Sequence, residues 1–104
     1  MTDIQLLEKQ MEPVIHKIIV DLKIEKTIDY SAINSLNDLL SDYRKQIKDQ
    51  TLLPRSFVGK LFYLFSTMVL HAHYVNYRGD IMTEVFRLRV YLLSVFDETQ
   101  FNNN

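Results

Sequence analysis

Four stretches of this chain repeat one rhythm of apolar residues. In the last of them Ile81, Val85, Leu88, Leu92 and Val95 step by four, three, four and three. That spacing collects them on one face of an α-helix, where 3.6 residues complete a turn. The stretch before it carries Phe57, Leu61, Leu64, Met68, His71 and Val75 in the same register. Further back come Ile33, Leu36, Leu40, Tyr43 and Ile47, with Leu39 at the edge, and first of all Ile4, Leu7, Met11, Val14, Ile18 and Leu22. A strand alternates with a period of two and cannot present such stripes. Four amphipathic helices of about five turns, joined by short links, predict an all-α fold: an antiparallel up-down-up-down four-helix bundle.

The ends of these helices are also written in the sequence. Asp80 has the carboxylate to cap the free amides of the last helix, and Gly79 suits the left-handed stop of the third. Pro54 fits the first turn of the third helix, where its missing N–H costs nothing. Ser31 or Asp29 opens the second helix, expected over 31–50. Pro13 interrupts the first. The apolar register continues across it, which favours one kinked helix over a helix that starts there. In the third helix Phe62, Phe65, Val69 and Leu70 widen the apolar surface until a thin polar strip remains, so this helix is expected to be the most enclosed of the four. Residues 61–77 hold no Asp, Glu, Lys or Arg, yet Ser66, Thr67, His71, His73 and Asn76 make the run a poor membrane span.

Composition excludes much chemistry. The 104 residues suit one domain over 1–104, with a short flexible tail at the carboxyl end. Two glycines cannot build a glycine-rich phosphate loop, and the absence of cysteine removes disulfides, thiol nucleophiles and cysteine-held metals. A net charge of −1 argues against nucleic acid as a partner. Asp3, Glu8 and Lys9 break the apolar core that an export signal would need, so the expected address is cytoplasmic.

Nothing in the pattern points to catalysis, and the chain is read as a non-enzyme without cofactor or metal. His71 and His73 are two residues apart, which sets them about 160° apart on a helix, whereas helical metal pairs use a spacing of four. His71 lies on the core seam and is expected to be a hydrogen-bonded, buried imidazole. Arg78-Gly79-Asp80 spells an adhesion tripeptide, but a helix stop followed by a cap accounts for it. More informative are His73, Tyr74, Tyr77, Arg78, Arg87 and Arg89 around the last link, since aromatic and Arg side chains dominate binding hot spots. Phe86, Arg87, Val90 and Tyr91 fall off the narrow seam of the last helix. Ala in place of Arg87 or Tyr91 is therefore expected to leave stability nearly intact.

The motifs Tyr30-Ser31-Ala32-Ile33, Tyr43-Arg44-Lys45-Gln46 and Leu53-Pro54, leading into the apolar helix 57–77 and its hairpin, are diffuse but cover most of the chain. In these the sequence resembles the immunity proteins against class IIa (pediocin-like) bacteriocins, and within them the enterocin A immunity subgroup. The resemblance implies a four-helix bundle inside the producing cell that binds the bacteriocin-engaged mannose phosphotransferase permease and blocks the lethal pore. It also implies that the carboxyl-terminal part selects the bacteriocin: here Tyr77 and Arg78 in the hairpin, Arg87, Val90 and Tyr91 on the last helix, and Phe101 in the tail. Peripheral contact with the membrane, without a transmembrane segment, belongs to the same expectation. The alternative reading is a helical adaptor whose third helix is completed by a second copy, leaving monomer or homodimer open.

Overall fold

A computed structural model describes residues 2–97. Its four α-helices are α1 (Asp3–Val20), α2 (Tyr30–Gln46), α3 (Arg55–Tyr74) and α4 (Ile81–Phe96), with no strand among the described residues. The molecule is the four-helix bundle that the periodicity predicts. Glu8, near the start of α1, meets Tyr43, near the end of α2, so these two helices are antiparallel. Asn34 and Arg87 meet near the starts of α2 and α4, which run parallel. Helix α1 packs on α2 and α3, and α4 packs on the same two. The consecutive helices α2 and α3 therefore face each other across the bundle diagonal, and residues 47–54 cross over one end to join them.

Helix α1 begins with a reciprocal cap. Thr2 Oγ1 accepts the Gln5 amide at 3.1 Å, and Gln5 Oε1 accepts the Thr2 amide at 3.0 Å, which occupies two amides that have no partner within the helix. The helix runs through Pro13 rather than starting there. Pro13 and Lys9, whose carbonyl loses its usual amide donor, are both exposed, so water can replace that bond. The helix then relaxes into a π-helical turn, Asp21–Glu25, closed by Lys26 in the left-handed conformation.

Helix α2 is capped by Asp29, whose Oδ1 accepts the Ala32 amide at 2.9 Å. That amide, and then Lys17 at 3.1 Å from Oδ2, hold the Asp29 carboxyl below its ordinary range. Lys17 also pairs with Asp21 at 2.9 Å, so one ammonium ties the end of α1 to the start of α2. Helix α2 ends at Gln46 rather than Gln50: Ile47 is buried, and the Gln50 amide closes a turn on its carbonyl at 2.8 Å.

Three further boundary expectations need correction. Pro54 is the N-cap residue of α3, just outside its first turn. Helix α3 stops through Asn76, not Gly79. The Asn76 amide bonds the His73 carbonyl at 3.0 Å and the Tyr77 amide reaches the Ala72 carbonyl at 2.7 Å, the paired bonds of a Schellman stop. Asn is the residue other than Gly that best tolerates the left-handed region, and Asn76 adopts φ +57°. Asp80 precedes α4, but its carboxylate makes no capping bond. Glu84 in the first turn supplies negative charge there instead.

The core contains Met11, Ile15, Ile18 and Leu22 from the first segment, Ile33, Leu36, Leu40 and Tyr43 from α2, Phe57, Leu61, Leu64 and Met68 from α3, and Ile81, Val85, Leu88 and Val95 from α4. Among the described residues, one buried polar side chain has no partner: neither Asn37 Oδ1 nor Nδ2 has a hydrogen bond. An unpaired buried amide costs about 1–3 kcal/mol. Asn37→Leu should therefore raise the free energy of unfolding by about 1–2 kcal/mol, read from urea titration.

Helix α3 is not the most enclosed of the four. Phe62 and Leu70 are 67% and 68% exposed, and Tyr63, Val69 and Tyr74 are exposed too. A bundle helix has one inner face, and α3 carries more apolar side chains than that face holds.

Candidate functional site

The exposed apolar and aromatic side chains concentrate on α3, α4 and the link 75–80. Helix α3 presents Phe62, Val69 and Leu70 outward, and α4 presents Phe86 and Val90, which are 59% and 52% exposed. The two helices meet in an open groove of about 270 Å³ lined by Leu61, Phe62, Phe65, Leu92, Leu93 and Phe96, with Arg89 and Asp97 as its charged walls. The groove runs from the start of α3 to the end of α4, which makes this pair antiparallel.

The flank of α3 toward α1 is covered differently. Lys23 lies 5.2 Å from the centre of the Tyr63 ring and donates to its hydroxyl. Lys26 lies 4.9 Å from the centre of the Tyr74 ring. An ammonium over a ring face is held by the ring quadrupole. The left-handed turn at Lys26 thus sets a charge over one exposed tyrosine. His71 is buried beside Tyr74, with ring centres 6.2 Å apart. Burial, and then the positive charge of Lys26, push its pKa down.

The residues that sequence reasoning singled out do not form one patch. Tyr77 and Arg78 are exposed in the link; Tyr77 sits at φ +59°, with its hydroxyl 3.3 Å from His73 Nδ1. Val90 faces outward beside Phe86. Arg87 turns toward α2. Its Nη1 donates to Glu84 Oε1 at 2.7 Å and Oε2 at 3.1 Å and lies 3.5 Å from Asn34 Oδ1. Tyr91 is half-buried against the core. Phe101 lies outside the described residues.

Arg87 is therefore tied into the fold, and the expectation that its loss leaves stability nearly intact is overturned. The Glu84 side chain is 5% exposed and that of Arg87 43%. A buried carboxylate without its cation keeps its desolvation cost, discounted here because the guanidinium is partly in water. Arg87→Ala should lower the unfolding free energy by about 1–2 kcal/mol, and the loss should shrink in a Glu84→Gln background. Urea titration of the double-mutant cycle measures it. The carboxylates of Asp80 and Glu84 also reach Tyr30, whose pKa is raised, first by burial and then by their charge.

The residues that sequence reasoning passed over as site candidates are Phe62 and Leu70, which it expected to be enclosed; Tyr74, which it did single out beside the last link, is exposed. The signal was present in the uncharged run 61–77: a helix apolar on every side in a four-helix bundle exposes whatever its inner face cannot take. No group of three His, Cys, Asp or Glu side chains among the described residues is placed to hold a metal ion. No helix among them is long and apolar enough to cross a membrane. Comparison of the chain with protein-family models, with curated proteins and with solved structures gives no match.

Proposed function

We propose that this protein is a bacteriocin immunity protein of the enterocin A type. It protects the producing cell from a class IIa bacteriocin by stoichiometric binding, on the cytoplasmic side, to the mannose phosphotransferase permease engaged by the bacteriocin. The observation that carries the reading is the placement of the exposed aromatic and aliphatic side chains. Phe62, Leu70, Tyr74, Tyr77, Phe86 and Val90 all come from the carboxyl-terminal half, the half to which the resemblance assigns recognition. Large apolar side chains left in water in this density mark a surface that another molecule covers.

Expression in a strain sensitive to class IIa peptides, followed by challenge with a panel of them, tests the proposal. Growth in the presence of at least one peptide is the expected result; killing by every member of the panel would refute it. A homodimeric adaptor draws on the same uncovered face of α3. Sedimentation equilibrium separates the two readings, because the adaptor requires a dimer and the immunity protein does not.

A further inference from the structure

On α3, positions 62, 66, 69, 70 and 73 recur at helical spacing on the side away from Leu64, Met68 and His71. Phe62, Val69 and Leu70 are exposed there, with Ser66 and His73 the only polar members of the row. Phe86 and Val90, one turn apart, extend the apolar surface onto α4, and the groove between the helices joins the two parts. Three arginines accompany this surface. Arg55 stands at the start of α3, Arg78 in the link and Arg89 on the groove wall, while α3 has no carboxylate along its length. Lys60 is shared with Glu12 of α1 at 3.1 Å. Of the carboxylates in this half among the described residues, Glu84 is buried under Arg87, and Asp80 faces Tyr30 on the α2 side. Asp97 stands at the end of the groove. By sequence the amino-terminal half carries seven bases and nine acids, and the half from Pro54 onward five bases and four acids.

We infer that the outer face of the α3–α4 pair docks flat on an anionic phospholipid bilayer. The inference rests on the proposed function for its setting beside a membrane permease, and adds lipid as a second partner. Apolar side chains ringed by guanidinium groups suit the boundary between acyl chains and headgroups: Phe62, Leu70, Phe86 and Val90 enter the acyl edge, and Arg55, Arg78 and Arg89 reach the phosphates. A second copy is the poorer occupant, because two-fold pairing sets these arginines against one another, with Asp97 the one carboxylate at the groove among the described residues.

Co-sedimentation of the full chain with vesicles of phosphatidylcholine alone, or mixed with phosphatidylglycerol, tests the inference. Binding to the anionic vesicles should be about tenfold tighter or more and should weaken with added salt. The double substitution Leu70→Ser and Phe86→Ser should reduce it about tenfold or more with the helical circular dichroism unchanged, since both side chains already face water. Absence of binding, equal binding to both vesicle types, or indifference to the substitutions would overturn it. So would a dimer in sedimentation that the same substitutions dissolve. Protection of cells by a protein that ignores vesicles would overturn this inference alone, and vesicle binding without protection would overturn the proposed function alone.

Discussion

Tyr43→Ala should lower the free energy of unfolding by about 3–5 kcal/mol, the range for removing a large buried ring. Against a total of about 5–15 kcal/mol for a domain, that brings the protein close to unfolding at room temperature. Tyr43 is fully buried and joins three helices. From α2 its ring packs on Phe57 of α3 with centres 5.1 Å apart, and its hydroxyl donates to Glu8 Oε2 of α1 at 2.7 Å. Tyr43→Phe separates the two contributions. It keeps the packing and strands the Glu8 carboxylate, for an expected loss of about 1–3 kcal/mol. The same contact makes stability depend on alkaline pH. Burial, and then Glu8, raise the Tyr43 pKa well above that of an unfolded tyrosine. The folded state holds this proton more tightly, so its contribution is complete below about pH 10 and is lost as the pH climbs from there through the folded value. Urea titrations at rising pH should show that decline in the native protein, and a smaller one in Tyr43→Phe.

Leu88→Ala should cost about 2–5 kcal/mol, whereas Val90→Ala, two residues along the same helix, should change stability by less than about 0.5 kcal/mol. Leu88 is buried in the centre of α4, and its removal leaves a cavity that the neighbouring helices α2 and α3 cannot fill without moving. Val90 points into water on the opposite side. Thermal denaturation followed by circular dichroism distinguishes them directly. Equal effects at the two positions would mean that α4 is rotated from the orientation described here.

Much of the surface was legible in the amino-acid order, but not as a site. Arg87 and Tyr91 look like free hot-spot residues on a helical wheel, because a wheel shows one helix and omits its neighbours. The pair of Arg87 with Glu84 lies within α4, three residues apart, but only the tertiary packing brings Asn34 of α2 to Arg87 and leans Tyr91 on the core. Phe62 and Leu70 were legible as apolar, yet burial was the wrong inference, since hydrophobicity states what a side chain prefers and not whether room exists for it. Tyr77 and Val90 are exposed as the spacing suggests.

Helix number and inner faces follow from the sequence alone. Residue spacing dictates which side chains share a stripe, and four such stripes have no better refuge than one another. Local chemistry likewise places the Asp29 cap, with its oxygen three residues from the amide it accepts. What the sequence could not decide is which stripes become neighbours. The crossover 47–54 sets α2 and α3 on a diagonal, pairs α2 with α4, and leaves the outward face of α3 without a helix to cover it. That choice depends on how four shapes pack at once, a property that no single helix carries.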